Sequence, residues 1–191
     1  YRMIPRPRPK RFRLRRTMMF MNAQKPGLIK DAYIYGLDSI MLDLEDAVAE
    51  NQKDAARFSL YHALQSIDYG DTEVIVRING LDTPHWQEDI RVCVAGGADG
   101  IRIAKCESAA DVKTVEEHVL KAEREFGVEE GRTLLMAALE SPKGILNAYE
   151  ICTASERLFG VAISGGDFRK SMHVRTTDSG VEINTARSMM L

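Results

Sequence analysis

Hydrophobic positions in this chain follow two alternating patterns. Short continuous apolar runs occur at residues 17–21 (TMMFM), 39–44 (SIMLDL), 73–78 (EVIVRI), 100–104 (GIRIA), 132–139 (RTLLMAAL) and 158–164 (LFGVAIS). Between them lie longer stretches whose apolar residues recur at helical spacing, over 27–35, 52–65, 86–95, 108–126 and 143–153, with another over 185–191. The runs are near-continuously apolar, as suits strands of a parallel sheet covered on both faces. Stretch 52–65 gathers Ala55, Ala56, Leu60, Ala63 and Leu64 on one side, the stripe a helix turns towards a sheet. Ser108 and Asp111 are candidate caps for helix 108–126, and Gly127 is its stop. Pro142 stands at a helix start, where its missing N–H costs nothing. Six strand–helix units predict an α/β fold built on a parallel sheet.

In such folds chemistry collects at the C-terminal ends of the strands. Those ends read Asp43-Leu44-Glu45-Asp46, Arg77-Ile78-Asn79, Lys105, Glu140-Ser141 and Gly165-Gly166-Asp167. A barrel converges them on one cavity. Carboxylates there suit a hard divalent cation, and magnesium takes one or two protein carboxylates plus water and substrate oxygens. Arg77 has the planar fork that grips a substrate carboxylate. Each residue also has a plainer reading. Glu45 and Asp46 suit the positive end of a helix dipole, and Arg77 suits a structural pair with either. Glu140 can be a helix-start carboxylate and Asp167 a turn residue. Their joint placement at strand ends favours a site.

Composition adds limits. Of the 191 residues, 45% are hydrophobic and 28% charged, which excludes a disordered or fibrous chain. No apolar run approaches the length of a membrane span. Cys93, Cys106 and Cys152 have neither disulfide-framework nor zinc spacing and read as buried thiols of a cytoplasmic protein. His62, His85, His118 and His173 share no ligand spacing, no glycine-rich dinucleotide or phosphate loop is present, and Ser164 lies outside a nucleophile elbow. Charge is uneven. Residues 1–16 (YRMIPRPRPKRFRLRR) hold eight basic residues and no acid, while the other 175 carry a net charge of −10. The acidic body argues against nucleic-acid binding. The arm reads as a solvated tail or a clamp on a neighbouring subunit, with polyanion binding as a third option.

The runs Leu14-Arg15-Arg16-Thr17-Met18-Met19-Phe20 and 38–48 (DSIMLDLEDAV) resemble the citrate lyase beta-subunit family of the HpcH/HpaI aldolase superfamily. So do Val76-Arg77-Ile78-Asn79, Leu139-Glu140-Ser141 with Gly144 and Asn147-Ala148, and Asp167-Phe168. The resemblance runs over 14–191. It implies a TIM-type (β/α)8 barrel of which about six βα units are present, with an N-terminal arm over 1–16 and an incomplete barrel domain over 17–191. It further implies a magnesium-dependent carbon–carbon lyase that splits an acyl-CoA thioester into an acetyl-type thioester and a 2-oxo acid. Glu140 and Asp167 match the family's metal ligands, Arg77 its substrate-binding arginine, and Glu45 and Asp46 the acids that hold the metal's waters. Gly165 and Gly166 fall where substrate is bound. A homo-oligomer, a trimer by resemblance, is expected.

Three departures qualify this. The family's Pro-Gly-Asn-type first loop reads Met21-Asn22-Ala23-Gln24-Lys25-Pro26-Gly27 here. The family's Gly-Ala-Glu-Asp before the metal aspartate is Ser164-Gly165-Gly166-Asp167, so a glutamate beside the metal is gone. A complete barrel needs about 250 residues, and the family's acid/base aspartate belongs to a later lid, so the sequence is expected to be incomplete. Citramalyl-CoA is the expected substrate. A citryl or malyl thioester lyase, and a catalytically inert structural or acyl-binding relative, are the alternatives.

Overall fold

In the computed structural model, which describes residues 6–191, the six apolar runs are six strands. They are β1 (Met18–Asn22), β2 (Ser39–Asp43), β3 (Glu73–Arg77), β4 (Gly100–Ile103), β5 (Leu134–Leu139) and β6 (Leu158–Ile163). They form one sheet in the order β1-β2-β3-β4-β5-β6, every neighbouring pair parallel. Each connection steps to the adjacent strand in the same direction, so right-handed crossovers put every helix on one side. This is the winding of a (β/α)8 barrel with six units present.

The helices are α1 (Pro26–Ile29), α2 (Lys53–Ser66), α3 (Trp86–Gly96), α4 (Ala109–Phe126), α5 (Pro142–Leu146), α6 (Ala148–Thr153), α7 (Gly165–Ser171) and α8 (Val181–Met189). The large core lies between helices and sheet and includes Ile40, Leu42, Val76, Ile101, Leu135 and Leu139. The alternate strand residues line the other face. There Met41, Ile75 and Met136 form a second, smaller cluster with Met18, Phe159 and Ala162. Below it Ser39 stands beside Glu73, and above it Asp43 stands beside Arg77 and Arg77 beside Arg102. An apolar layer therefore separates two charged ones.

Helix ends follow the sequence where local chemistry decides them. Ser108 and Asp111 close a reciprocal capping box on α4, and Gly127 ends it at φ +66°. The expected helix over 27–35 is one α turn followed by a 3₁₀ turn at Ala32–Tyr35. The expected helix over 143–153 breaks at Asn147, whose Nδ2 donates to Glu107 O at 2.9 Å instead of continuing the helical run. Helix α7 was not expected, because Gly165-Gly166 disfavours helix. Helix α8 starts earlier than 185, after Gly180 at φ +63°. The expected burial of the three thiols holds at Cys93 and Cys106 and not at Cys152, which is exposed.

The basic arm lies on its own chain. It crosses the N-terminal ends of the strands, and all six described arginines are engaged. Arg6 pairs with Asp99 and donates to Thr72 O, and Arg13 caps Asp38 O and Asp71 O. Arg8 pairs with Glu129, Arg11 with Glu156 and Leu158 O, and Arg16 with Asp38. Arg15 clasps Glu73 with two bonds of 2.7 Å and stacks on Phe159 at 3.9 Å. The arginines of residues 6–16 are thus held on the chain's own strand starts and do not form a solvated tail; Lys10 is exposed, and Arg2 lies outside the described residues. The physical reason is local. The strand starts expose carboxylates and carbonyls, and arginine satisfies both.

Arg15→Ala is expected to destabilise the protein by about 3 kcal/mol, because Glu73, 1% exposed, loses its cation. Arg8→Ala, an exposed pair, changes stability by about 0.5 kcal/mol or less. Urea unfolding of the two variants checks this, and equal losses would show that the arm does not work through the buried pair.

Candidate active site

The polar strand ends converge. Arg77, ending β3, donates from Nε and Nη2 to Asp43 of β2 at 2.8 and 2.7 Å. Its Nη1 lies 2.9 Å from Glu45 and 3.7 Å from Asp46. Asp43 also accepts the backbone N–H groups of Glu45 (3.0 Å) and Ala47 (3.1 Å), which holds the 43–47 turn in place. Lys53 of α2 reaches back to the carbonyls of Leu44 and Glu45 at 2.8 and 2.7 Å. Burial works against the Arg77 charge, yet Asp43, Glu45 and Asp46 outweigh it and raise its pKa. Arg77 is therefore a fixed cation with its fork already filled. Phe20 of β1 lies under both Arg77 and Arg102, at 5.1 and 5.4 Å.

Glu140 follows β5 and is 4% exposed. Neither of its carboxylate oxygens has a hydrogen-bond partner among the described residues. Burial, then the charges of Glu45 and Asp167, push its pKa up to about 7. Its position is fixed by a clamp between two loops. Ser141 caps α5 through Gly144 N and donates to Glu107 Oε1 at 2.6 Å. Gly144 is required there, since a Cβ would come within 2.7 Å of Cys106 O.

Asp167 lies in the first turn of α7. Burial raises its pKa, but the Ser164 hydroxyl (2.7 Å) and the Lys170 ammonium (3.0 Å) win and hold it below the usual carboxylate value. It therefore stays ionised near Glu140. Gly165 and Gly166 form the backbone of this turn, and a Cβ on Gly166 would meet nothing within 4 Å. The absence of a side chain there is not forced by packing.

A cleft of about 730 Å³ opens over this cluster, lined by Asp46, Lys105, Glu140, Asp167, Lys143 and Lys170 among others. The structure thus brings Glu45, Asp46, Arg77, Glu140, Asp167 and the two glycines to one end of the sheet. It adds residues that the sequence reading left out of the site. Asp43 anchors Arg77, and Arg102 is 5% exposed with no hydrogen-bond partner on Nε. Both had a signal: charged residues inside strands whose neighbours are apolar.

A family profile described as HpcH/HpaI aldolase/citrate lyase matches residues 16–191. The chain belongs to the HpcH/HpaI aldolase/citrate lyase family. Within it, the chain is 49% identical over 179 residues to citrate lyase subunit beta of Leuconostoc mesenteroides subsp. cremoris, covering 94% of this chain and 59% of that protein. It is 37% identical over 171 residues to the L-malyl-CoA/beta-methylmalyl-CoA lyase of Rhodobacter capsulatus, covering 88% and 54%. Among solved family structures, the citrate lyase beta subunit from M. tuberculosis complexed with oxaloacetate and magnesium superposes with a TM-score of 0.71 at 27% identity, over 91% of this chain and 71% of that one. A second, from Mycobacterium tuberculosis with magnesium, acetoacetate and coenzyme A, gives 0.70 at 27% identity, over 92% and 60%. The chain spans less than two thirds of the curated relatives' length.

The residues fit a magnesium ion. Glu140, with two unpartnered buried oxygens, and Asp167, held ionised by Ser164 and Lys170, present two carboxylates to one cleft. Among the described residues no group of three His, Cys, Asp or Glu gathers as a metal site. A pair of carboxylates is what magnesium takes when water and substrate oxygens complete its shell, and is too few for a closed zinc site. No described helix is long and apolar enough to cross a membrane.

Proposed function

We propose that the protein containing this chain is a magnesium-dependent carbon–carbon lyase acting on the coenzyme A-type thioester of a 3-hydroxy acid, releasing a 2-oxo acid and an acetyl-type thioester. The observation that carries this is Glu140, a buried carboxylate with both oxygens unpartnered among the described residues, lining an open cleft together with Asp167. Glu140 and Asp167 would hold the ion. When bound, magnesium lowers the pKa of the substrate hydroxyl and orients the bond to be broken.

The chain's own residues do the rest. The Asp43–Arg77 pair fixes the 43–47 turn, so that Asp46 lines the cleft at a constant position, with Glu45 buried behind it between Arg77 and Lys105. The Asp46 carboxylate can accept hydrogen bonds from water or from the substrate hydroxyl. Arg77 and Arg102, held over Phe20 and shielded from bulk water, keep positive potential where an enolate oxygen develops. The apolar Met41–Ile75–Met136 layer closes the floor against water.

The similarity to citrate lyase beta subunits favours a citryl thioester. Citramalyl-CoA, expected from the sequence, has no observation in its favour and is retained as a test substrate. Incubating the full-length protein with magnesium and citryl, malyl or citramalyl thioester, and identifying the 2-oxo acid, tests the proposal. Oxaloacetate from the citryl thioester is expected. Release from none of the three would leave the inert-relative reading, which Gly166 in place of a glutamate favours.

A further inference from the structure

Lys105 has a backbone that lysine rarely adopts. Its φ is +50°, and His173, in an exposed turn, is the only other described non-glycine residue with positive φ. A left-handed conformation costs free energy at any residue with a Cβ, and persists where the surroundings impose it. They do so here. Cys106 N donates to Ala138 O at 3.0 Å, Cys106 O presses on Gly144, and Glu107 N and Ser108 N both donate to Asp111. The result of the kink is that the side chain turns out of the β4 line into the cleft, 52% exposed, among Asp46, Glu140 and Asp167. Among the described residues its one ion-pair partner is Glu45 Oε1 at 2.9 Å.

The contrast with Arg77 is informative. The guanidinium is committed to Asp43, Glu45 and Asp46. The ammonium carries three donors and spends one, so two remain directed at whatever fills the cleft. Lys143 and Lys170, the other lysines of the cleft, are more exposed and pair with Glu107 and Asp167.

We propose that Lys105 is a substrate-binding residue that holds the carboxylate of the 2-oxo acid part of the substrate. The inference rests on the lyase reading above. Its chemistry is a charge-assisted hydrogen bond from an ammonium to an anionic oxygen, beside the two carboxylates that hold the metal. A glycine would relieve the backbone but supply no cation.

The test uses the full-length protein and two binding titrations, magnesium alone and then oxaloacetate or pyruvate in saturating magnesium. Lys105→Met should weaken 2-oxo acid binding by about tenfold or more, the effect of losing one charge-assisted contact. Magnesium affinity should be unchanged or higher, because a cation near the ligands has gone. Lys105→Arg should recover part of the oxo-acid affinity. Lys105→Gly should lose it too, yet raise Tm by about 2–4 °C through relief of the backbone. Wild-type oxo-acid affinity in Lys105→Met overturns the proposal, as does a loss of magnesium and oxo acid in proportion, which would mean that Lys105 only orients Glu45. Failure of the wild-type protein to bind any 2-oxo acid with magnesium overturns the lyase reading as well, so the two failures are distinguishable.

Discussion

Glu140→Gln is expected to cut magnesium-dependent thioester cleavage by roughly 10³-fold, about 4 kcal/mol of barrier, while making the metal-free protein more stable at neutral and alkaline pH. The second half follows from linkage. Glu140 has a folded pKa of about 7 against an ordinary value of 4.5. A raised carboxylate pKa means that the folded state binds the proton more tightly than the unfolded state does. The stabilisation is complete below pH 4.5 and is lost as pH rises through 7. The shift corresponds to roughly 3 kcal/mol. Magnesium binding should remove this pH dependence, because the ion replaces the proton as the partner of the carboxylate. Thermal unfolding from pH 5 to 8.5, with magnesium and with a chelator, measures all of it. A wild-type profile equally flat in both conditions would dismiss Glu140 as the unpartnered group, and full activity in Glu140→Gln would dismiss it as a ligand.

Arg77→Met should cost about 3–5 kcal/mol of stability. Asp43 and Glu45 are 2% and 5% exposed, and the substitution leaves them without the cation that both were folded around. Arg77→Lys keeps the charge but cannot make the two-pronged contact with Asp43, so a loss of about 1–2 kcal/mol is expected. Denaturant unfolding gives the stabilities, and substrate KM separates the roles. Should Arg77→Lys fold as well as wild type yet bind substrate poorly, Arg77 touches substrate directly, as the sequence implied. Parallel loss of both marks it as the post on which the 43–47 turn is hung.

The sheet was legible because the signal is redundant. Each strand is a mostly apolar run, as suits a parallel sheet covered on both faces. The site was legible because its carboxylates sit at strand ends. The parts that were not legible depend on partners distant in sequence. Nothing near Asn147 announces that its side chain will leave the helix for Glu107 O, 40 residues earlier. Gly165-Gly166 speaks against α7, which forms because Ser164, Asp167 and Lys170 tie its first turn together. Arg102 looks like a strand residue with an awkward charge until β1 places Phe20 beneath it. The arm misled for the same reason. Eight positive charges without an acid look solvent-bound, and the partners of the six described arginines are spread from Asp38 to Leu158.

That spread sets an order of events during synthesis. Arg11 bonds to Glu156 and Leu158, which follow it by 145 and 147 residues, and Arg8 pairs with Glu129, 121 residues later. At about 5–20 residues per second, the arm waits on the order of 10–30 s before those partners leave the ribosome. Through that interval Arg8 and Arg11 are without these partners, while Arg16 and Arg15 find theirs, Asp38 and Glu73, only 22 and 58 residues further on. Docking of the front part of the arm, Arg8 to Arg11, is then a late step, a latch thrown across strand starts already in place. Its loss should speed unfolding far more than it slows folding.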